Sequence, residues 1–458
     1  MYETNSGNGV VTGITDSDAI ITASRMEKRE ILSASCQLKV TGEGTVVAWG
    51  TGATCGSTIA VQDRLTHVRT IYSTVSGACA ALKSDGSVVT WGDSDSGGNS
   101  STVKDQLTNV TTIVGGNAAF AALKSDGNVV TWGRSGYGAD SSSVQEQLTN
   151  VVKIFASEAA FAALKSDGTV VTWGADDYGG NSSVVQGQLT NVTMIYPAIA
   201  SFAALKSDGS VVTWGNSGYG GDSSSVQDQL TNVTTIYGKY YAFAALKSDG
   251  SVVTWGNSGL GGNNSAEQDQ LTNVTTVYST SGAFAALKSD GSVVAWGDGP
   301  FGGDISAVQE QLTNVTTVYT TYGSFAALKS DGSVVTWGNG TFGGDSSAVK
   351  EQLTNVTSIS STYAAFAAMK SDGNVVTWGE GSYGGDSSAV QEQLTNVEKI
   401  FSNSAYGAAF AALTSNGNVV AWSEGNFGGD NSTVQEQLVN VLTIFSLPGS
   451  FAALIPDE

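Results

Sequence analysis

The side chains that most often carry catalysis are scarce in this chain. The only histidine is His67, in Leu65-Thr66-His67-Val68, and similar stretches elsewhere in the chain carry Asn at that position. A histidine base or zinc site needs partner side chains, and no second histidine exists to complete one. We therefore interpret His67 as a turn residue.

The three cysteines form no recognisable pattern. Cys36 and Cys79 stand in apolar stretches where they read as small core residues, and Cys55 replaces a loop glycine. An odd number without paired spacing predicts neither a disulfide framework nor a zinc site. A bridge between Cys36 and Cys79 is the alternative that spacing leaves open.

An aspartate recurs directly after a Gly-Gly or Gly-Ala pair. A ring of such oxygens could bind calcium, whereas a lone Asp in a loop more often caps a turn through its own backbone. Asn replaces Asp freely at this position, which favours capping. We expect no catalytic set, no cofactor and no metal site. The carboxylates are Asp140, Asp222, Asp304, Asp345, Asp386 and Asp430, and the Asn equivalents are Asn99, Asn181 and Asn263.

These residues belong to a tandem repeat marked by tryptophan. Ten Trp residues follow Val-Val pairs, at intervals of 42, then seven times 41, then 44 residues. Such a fixed period is the sequence signature of a repeat architecture. The tryptophans are Trp49, Trp91, Trp132, Trp173, Trp214, Trp255, Trp296, Trp337, Trp378 and Trp422.

Each unit reads as three short antiparallel strands. In one unit, Val233–Tyr237 is β-branched and aromatic, Phe243–Lys247 is a short apolar run, and Ser251–Trp255 is β-branched. Asp249-Gly250 between the last two supplies a tight hairpin turn. The stretch before the next unit predicts either a fourth edge strand or one short helical turn. Three or four strands in about 41 residues fit one blade of an all-β propeller.

The unit resembles the repeats of the regulator of chromosome condensation family. The residues that carry the resemblance are Phe243–Gly256, Phe-Ala-Ala-Leu-Lys-Ser-Asp-Gly-Ser-Val-Val-Thr-Trp-Gly, followed by a Gly-rich loop. It extends over roughly residues 30–455 and implies a β-propeller with one blade per repeat. The family's His-Thr before Ala-Leu is missing here, and the units lack room for the long hairpin of the Ran exchange factor. The resemblance therefore specifies a fold and leaves the function open.

The blade count follows from how the termini pair. We divide the chain into an N-terminal segment, 1–30, and a tandem-repeat propeller, 31–458. We interpret the N-terminal segment as a degenerate half-repeat around Gly7–Gly13 and Ala19–Ala23. The first-and-second-strand module occurs eleven times from Ile31, and the third-strand module ten times. If the half-repeats at the two termini pair, they close a ring of about ten to eleven blades. Otherwise the units form a ring of ten or an open β spiral.

Charge and hydropathy exclude several classes of partner. The chain has 20 basic and 41 acidic residues, a net charge of −21. Such a surface repels nucleic acid and anionic lipid, so we expect neither nucleic-acid binding nor membrane insertion. No apolar run is long enough to span a bilayer, and no signal peptide is visible, so the cytoplasm is the default expectation.

Comparison among the units themselves predicts where a partner binds. Two windows vary most: the loop between the first and second strands (window A) and the four residues after Trp-Gly, such as Arg134–Tyr137 (window B). In an antiparallel blade both windows emerge on one face, while the Ser-Asp-Gly turns with their recurring lysine emerge on the other. We predict partner contacts at Tyr240 and Tyr241, which we expect to be exposed, and at Lys239, Tyr322, Tyr363, Tyr406, Tyr137, Tyr178 and Tyr219.

The sequence thus predicts a non-enzymatic binding or scaffold protein. A variable, aromatic, loop-built face on a rigid ring suits recognition of a macromolecule, a protein in the first place. A carbohydrate-binding, lectin-like propeller is the alternative, because tyrosines beside Asp and Asn can stack on sugars. A repeat module of a larger protein is another.

Overall fold

A computed structural model describes residues 44–52, 54–403, 408–423 and 427–457. Thirty β-strands, β1 to β30 in chain order, form antiparallel sheets, and the connections contain only short helical turns. The repeat β-propeller predicted from the Trp period is confirmed. The proposed segment 1–30 and the module at Ile31–Lys39 lie outside the described residues.

The strands fall into three classes by their place in the repeat. The first strands are β2 (Val68–Ser73), β5 (Val110–Gly115), β8 (Val151–Ala156), β11 (Val192–Pro197), β14 (Val233–Gly238), β17 (Val274–Ser279), β20 (Val315–Thr320), β23 (Val356–Ser361), β26 (Val397–Ser402) and β29 (Thr443–Leu447). The second strands are β3 (Ala78–Lys83), β6 (Ala119–Lys124), β9 (Ala160–Lys165), β12 (Ser201–Lys206), β15 (Ala242–Lys247), β18 (Ala283–Lys288), β21 (Ser324–Lys329), β24 (Ala365–Lys370), β27 (Phe410–Thr414) and β30 (Ser450–Pro456). The third strands are β1 (Gly44–Gly50), β4 (Val88–Gly92), β7 (Val129–Gly133), β10 (Val170–Gly174), β13 (Val211–Gly215), β16 (Val252–Gly256), β19 (Val293–Gly297), β22 (Val334–Gly338), β25 (Val375–Gly379) and β28 (Val419–Trp422).

The hairpin between the second and third strands has the predicted turn. In one blade the amide of Lys247 donates to Ser251 O, and the amide of Gly250 donates to Lys247 O. Gly250 has φ +77°, and a Cβ there would lie 3.0 Å from Cα of Asn273 in the next crossover. Both the backbone conformation and the close approach therefore require glycine.

The ambiguous stretch before each first strand is a short helical turn, so each blade has three strands. Its glutamine explains the choice: Nε2 of Gln227 donates to Val211 O at 3.0 Å and closes the turn against the third strand. The turns are Gln62–Arg64, Lys104–Gln106, Gln145–Gln147, Gln186–Gln188, Ser224–Gln229, Gln268–Gln270, Gln309–Gln311, Ser347–Gln352, Gln391–Gln393 and Gln435–Gln437.

A second set of one-turn helical segments follows the third strands. Six of these eight segments carry the aromatic residue that comes after Trp-Gly, and most end at a glycine with positive φ, such as Gly220 at +87°. These turns are Ser94–Gly98, Ser135–Tyr137, Asp176–Tyr178, Ser217–Tyr219, Ser258–Leu260, Gly299–Phe301, Gly340–Phe342 and Gly381–Tyr383.

The two ends of the described chain share one blade. Strand β30 pairs with β1 over seven residues, from Gly44 opposite Pro456 to Gly50 opposite Ser450, and β29 pairs with the other edge of β30. A single bridge between Gly44 and Val68 continues this sheet into β2, β3 and β4 of the next blade. Strand β29 also lies against β2, as each first strand lies against the next. The described strands therefore form a ring of ten blades. The C-terminal half-repeat pairs with Gly44–Gly50. The predicted half-repeat around Gly7–Gly13 and Ala19–Ala23 lies outside the described residues.

Each blade buries a bulky face against the small face of the blade before it. In one interface, Ile236, Phe243 and Trp255 pack on Ala203 and Leu205 of the preceding blade. Nε1 of Trp255 donates to Gly220 O at 3.0 Å, and the ring stacks on Phe243 with centroids 5.1 Å apart. Ten apolar clusters of this kind lie between the ten pairs of neighbouring blades, so no single core exists.

In one interface a disulfide takes the place of the contact between the phenylalanine ring and the neighbouring blade. Cys55 and Cys79 form a bridge with a Cα–Cα distance of 5.7 Å, and both residues are fully buried. The expectation of no disulfide framework was wrong for this pair, and Cys36 lies outside the described residues. The physical reason is that a Gly slot of one unit faces the Phe slot of the next, as Gly97 faces Phe120. Cys55 and Cys79 occupy those two slots.

The recurring Asp and the lone histidine serve turns, as interpreted. The carboxylate of Asp222 accepts the amide of Ser224 at 2.9 Å, and the hydrogen bonds from Ser224 lower the pKa of this carboxyl. Asn181 accepts the amide of Ser183 in the same way. His67 has φ +55°, matching the Asn residues at its position, and its Nδ1 lies 3.2 Å from Asp457.

Candidate binding face

The two variable windows meet on one side of the ring, called the loop face here. Oγ1 of Thr321 in window A donates to Phe342 O in window B at 2.7 Å, and Thr280 bonds Phe301 O in the same way. The Ser-Asp-Gly turns lie on the other side, called the turn face, where the amide of Ser248 donates to Asn232 O of the crossover. The geometry agrees with the antiparallel blade argument.

Backbone hydrogen bonds run from blade to blade through window A. The amide of Ser281 donates to Tyr322 O at 2.9 Å, and the amide of Tyr322 donates to Tyr363 O at 3.0 Å. Asn117 and Glu158 make the same contacts toward the next blade. Because the backbone alone makes these bonds, the side chain at this position is free to differ between blades.

Eight aromatic rings join into one patch on the loop face, called the aromatic cluster. Tyr322 is its centre: its ring centroid lies 4.6 Å from that of Tyr363, 5.4 Å from Phe342, 5.8 Å from Phe301 and 5.7 Å from Tyr240. The full set is Tyr219, Tyr240, Tyr241, Phe301, Tyr322, Phe342, Tyr363 and Tyr383.

Two predicted contact residues are less accessible than expected. Tyr240 is only 7% exposed, because Tyr241 and Tyr322 pack against its ring. Lys239 is also 7% exposed, and its Nζ donates to Ser279 O of the next blade at 2.6 Å. The expectation that Tyr240 is an exposed loop residue was wrong. Tyr241, Tyr322 and Tyr363 are half-buried and present part of their rings to solvent.

The remaining predicted residues divide between the cluster and its surroundings. Tyr219 and Tyr363 are in the cluster. Tyr137 and Tyr178 are half-buried on the same face but make no ring contact with the cluster, and Tyr406 lies outside the described residues. The predicted contacts omitted Phe301, Phe342 and Tyr383, although these residues occupy the same position after Trp-Gly as the predicted Tyr219. Their spacing behind Trp-Gly was the signal that could have placed them here.

Acidic groups dominate the loop face. Burial raises the pKa of the Tyr178 and Tyr241 hydroxyls, and the negative charge of Glu158 raises both further. Within the described parts of windows A and B, only Arg134 and the buried Lys239 are basic. The acidic residues of these windows are Asp93, Asp95, Glu158, Asp176, Asp177, Asp298 and Glu380.

The turn face offers a different chemistry. Shallow grooves between neighbouring blades are lined by lysine and aspartate together, for example Lys370 and Asp372, or Lys165 and Asp167. Each of these carboxylates accepts hydrogen bonds from the residue two positions later in the chain, and these bonds lower the pKa of the carboxyl group. For Asp167 the donor is Thr169. The turns hardly vary from unit to unit, which suits a structural role.

The described residues lack the features that metal binding or a membrane-spanning helix would need. No three side chains of His, Cys, Asp or Glu come together there in a way that could hold a metal ion. Within the same part of the chain, no helix has the length and hydropathy to cross a membrane.

Comparisons with known proteins give structural likeness only. No protein-family model matches the chain, and no curated protein gives a significant match. Yeast RCC1 (Prp20), in a structure with Kap60, is 14% identical over 98% of this chain and 97% of its own, with a TM-score of 0.38. Human WBSCR16 is 14% identical over 90% of this chain and 99% of its own, with a TM-score of 0.36.

A second structure of Prp20p from Saccharomyces cerevisiae is 17% identical, over 57% of this chain and 82% of its own, with a TM-score of 0.34. At these identities and TM-scores the likeness carries no argument about function. Membership of the regulator of chromosome condensation family stays a prediction.

Proposed function

We propose that the chain is a non-enzymatic scaffold whose loop face binds a protein partner. The observation that carries the proposal is the aromatic cluster: eight contiguous rings, several partly exposed, on loops that vary from blade to blade. Half-buried aromatic side chains are the anchors that dominate many protein interfaces. The ten-bladed ring supplies a rigid frame for them.

The variable side chains support this reading over a purely structural one. The position of Tyr322 in window A carries Ser76, Asn117, Ile199 or Ser281 in other blades, all with the same backbone path. Blade packing therefore does not require tyrosine there. A role outside the repeat explains why Tyr240, Tyr322 and Tyr363 are concentrated within four consecutive blades.

A glycan is the second candidate ligand, since partly exposed tyrosine rings can stack on sugars. Asn257, which is exposed, and Asn339, which is half-buried, lie in window B and could add hydrogen bonds to hydroxyl groups. Binding of the chain on a glycan array, lost on removal of Tyr322 and Tyr363, would favour this candidate over a protein partner.

The disulfide is evidence about the cellular compartment in which the protein acts. Disulfides persist mainly in oxidising compartments and are rare in the cytoplasm. The Cys55–Cys79 bridge therefore favours an oxidising compartment over the cytoplasm that the sequence suggests by default. Whether the chain acts alone or as a module of a larger protein does not change this argument.

Partner capture from the native host tests the proposal with variants taken from the repeat itself. Tyr322→Ser copies Ser281, and Tyr241→Ala copies Ala200, so both changes keep the backbone path. Loss of interface anchors costs about 2 kcal/mol or more of binding. We expect the double variant to retain at most about a tenth of the captured partner, measured by quantitative mass spectrometry.

The matched control is on the turn face. Lys206→Ala with Lys247→Ala should leave the captured amount and the melting temperature unchanged. If the lysine pair abolishes capture while the tyrosine pair does not, the partner binds the turn face and the proposal is wrong. Tyr240 is left unchanged in this design, because removing a buried ring would itself destabilise the fold.

A further inference from the structure

We propose that the partner presents arginine side chains to the aromatic cluster and its acidic edge. This inference rests on the proposed function and names the chemistry of the partner segment. It follows from which charges surround the rings, how the rings are exposed, and how one ring of the same face already holds a guanidinium group.

The charges around the cluster are one-sided. Asp298 begins the turn that carries Phe301, and Glu380 begins the turn that carries Tyr383. Glu158, in window A two blades before Tyr241, adds a further negative charge to the same face. Burial, then Tyr219, Tyr322 and this charge, raise the pKa of the Tyr241 hydroxyl. Seven acidic residues against two basic ones in windows A and B make this face attractive to a cation and repulsive to phosphate or carboxylate ligands.

The rings add a preference for a flat cation. The negative face of a tyrosine ring attracts a cation placed within about 6 Å of its centre. Arg134 already does this inside the chain, with its guanidinium carbon 5.6 Å from the centre of the Tyr137 ring. A guanidinium also stacks on aromatic rings and bonds a carboxylate with two parallel hydrogen bonds, whereas an ammonium group does neither. Rings and carboxylates side by side therefore favour arginine over lysine.

The test uses a synthetic Gly-Arg repeat peptide and three comparison ligands: a Gly-Lys peptide of equal length, a peptide with uncharged citrulline for arginine, and a set of neutral oligosaccharides. Binding is measured by isothermal titration calorimetry at physiological ionic strength, where interactions between distant exposed charges are largely screened. We expect the arginine peptide to bind, the lysine peptide to bind more weakly, and the citrulline peptide not to bind.

Substitutions separate a local site from general attraction to an acidic protein. Tyr322→Ser with Tyr363→Ser keeps the net charge and should weaken peptide binding at least about tenfold. Asp298→Asn with Glu380→Asn should weaken it by about three- to fivefold. These two changes copy Asn257 and Asn339, which occupy the same slot in other blades. The matched pair Asp290→Asn with Asp372→Asn removes the same charge from the turn face and should have less than about a twofold effect.

Several results would overturn the inference. Equal affinity for the citrulline peptide, or tight binding of an oligosaccharide alone, would show that a cation is not what the cluster recognises. An equal loss from the loop-face and turn-face charge pairs would show only non-specific attraction. Failure of every peptide to bind would refute an arginine-bearing partner but not the proposed function, which the capture of the native partner tests separately.

Discussion

Phe451→Ala should destabilise the whole ring, by about 3–5 kcal/mol. Phe451 is fully buried in β30, and its ring stacks on Trp49 of β1 at 5.5 Å, so it lies at the point where the chain ends share a blade. In a closed ring every blade has two neighbours, and a cavity here weakens the array as much as one elsewhere. Denaturant unfolding followed by tryptophan fluorescence measures this, because each blade carries one Trp.

The comparison variant is Phe243→Ala, a cavity of the same kind midway along the chain, which should cost a similar amount. Val184→Ala, at a side chain that is 94% exposed, should change the free energy of unfolding by less than about 0.5 kcal/mol. An early transition involving about a tenth of the fluorescence in Phe451→Ala alone would contradict closure, because only an open array frays from its terminal unit.

Cys79→Ser should lower the free energy of unfolding by about 2–4 kcal/mol, the usual contribution of a disulfide. The bridge ties the loop after β1 to β3 of the next blade, with a sequence separation of 24 residues. Since β1 is the strand that closes the ring, losing the bridge removes the only covalent support of that closure among the described residues. Denaturant unfolding with and without a reducing agent measures the effect.

The other units show which residues can replace the disulfide. The combination Cys55→Gly with Cys79→Phe installs the contact found in the other nine interfaces, where a ring packs on a glycine. It should recover most of the stability. Cys79→Phe alone should not, because a Cβ at the glycine slot would lie about 2.6 Å from the ring, as at Gly97 and Phe120. A double variant no more stable than Cys79→Ser would contradict this account of the interface.

The fold was predictable because the same local patterns recur from unit to unit, with Val-Val before Trp in ten units and Asp-Gly in eight hairpins. Val-Val before Trp, Asp-Gly in the hairpin and apolar second strands each require one local structure, and the antiparallel order then places windows A and B on one face. Whether the stretch at Gln227 forms a strand was not predictable, because the decisive bond, from Gln227 to Val211 O, joins residues 16 apart.

The details of the site depend on contacts between units, which spacing within a unit does not show. Tyr240 is buried because Tyr322, two blades along the chain, packs on its ring. The Cys55–Cys79 bridge was missed because the Gly and Phe slots that meet belong to different units. Both facts depend on how residues of different blades pack together, which no single repeat specifies.

Photo-crosslinking in the native host tests the central claim, that the loop face binds the partner, most directly. Benzoylphenylalanine replaces Tyr322 on the loop face in one sample and Ser330, which is exposed on the turn face, in another. Irradiation should give a covalent adduct with the partner from position 322 and none from position 330, resolved by denaturing gel and mass spectrometry. An adduct from position 330 with none from position 322 would contradict the account.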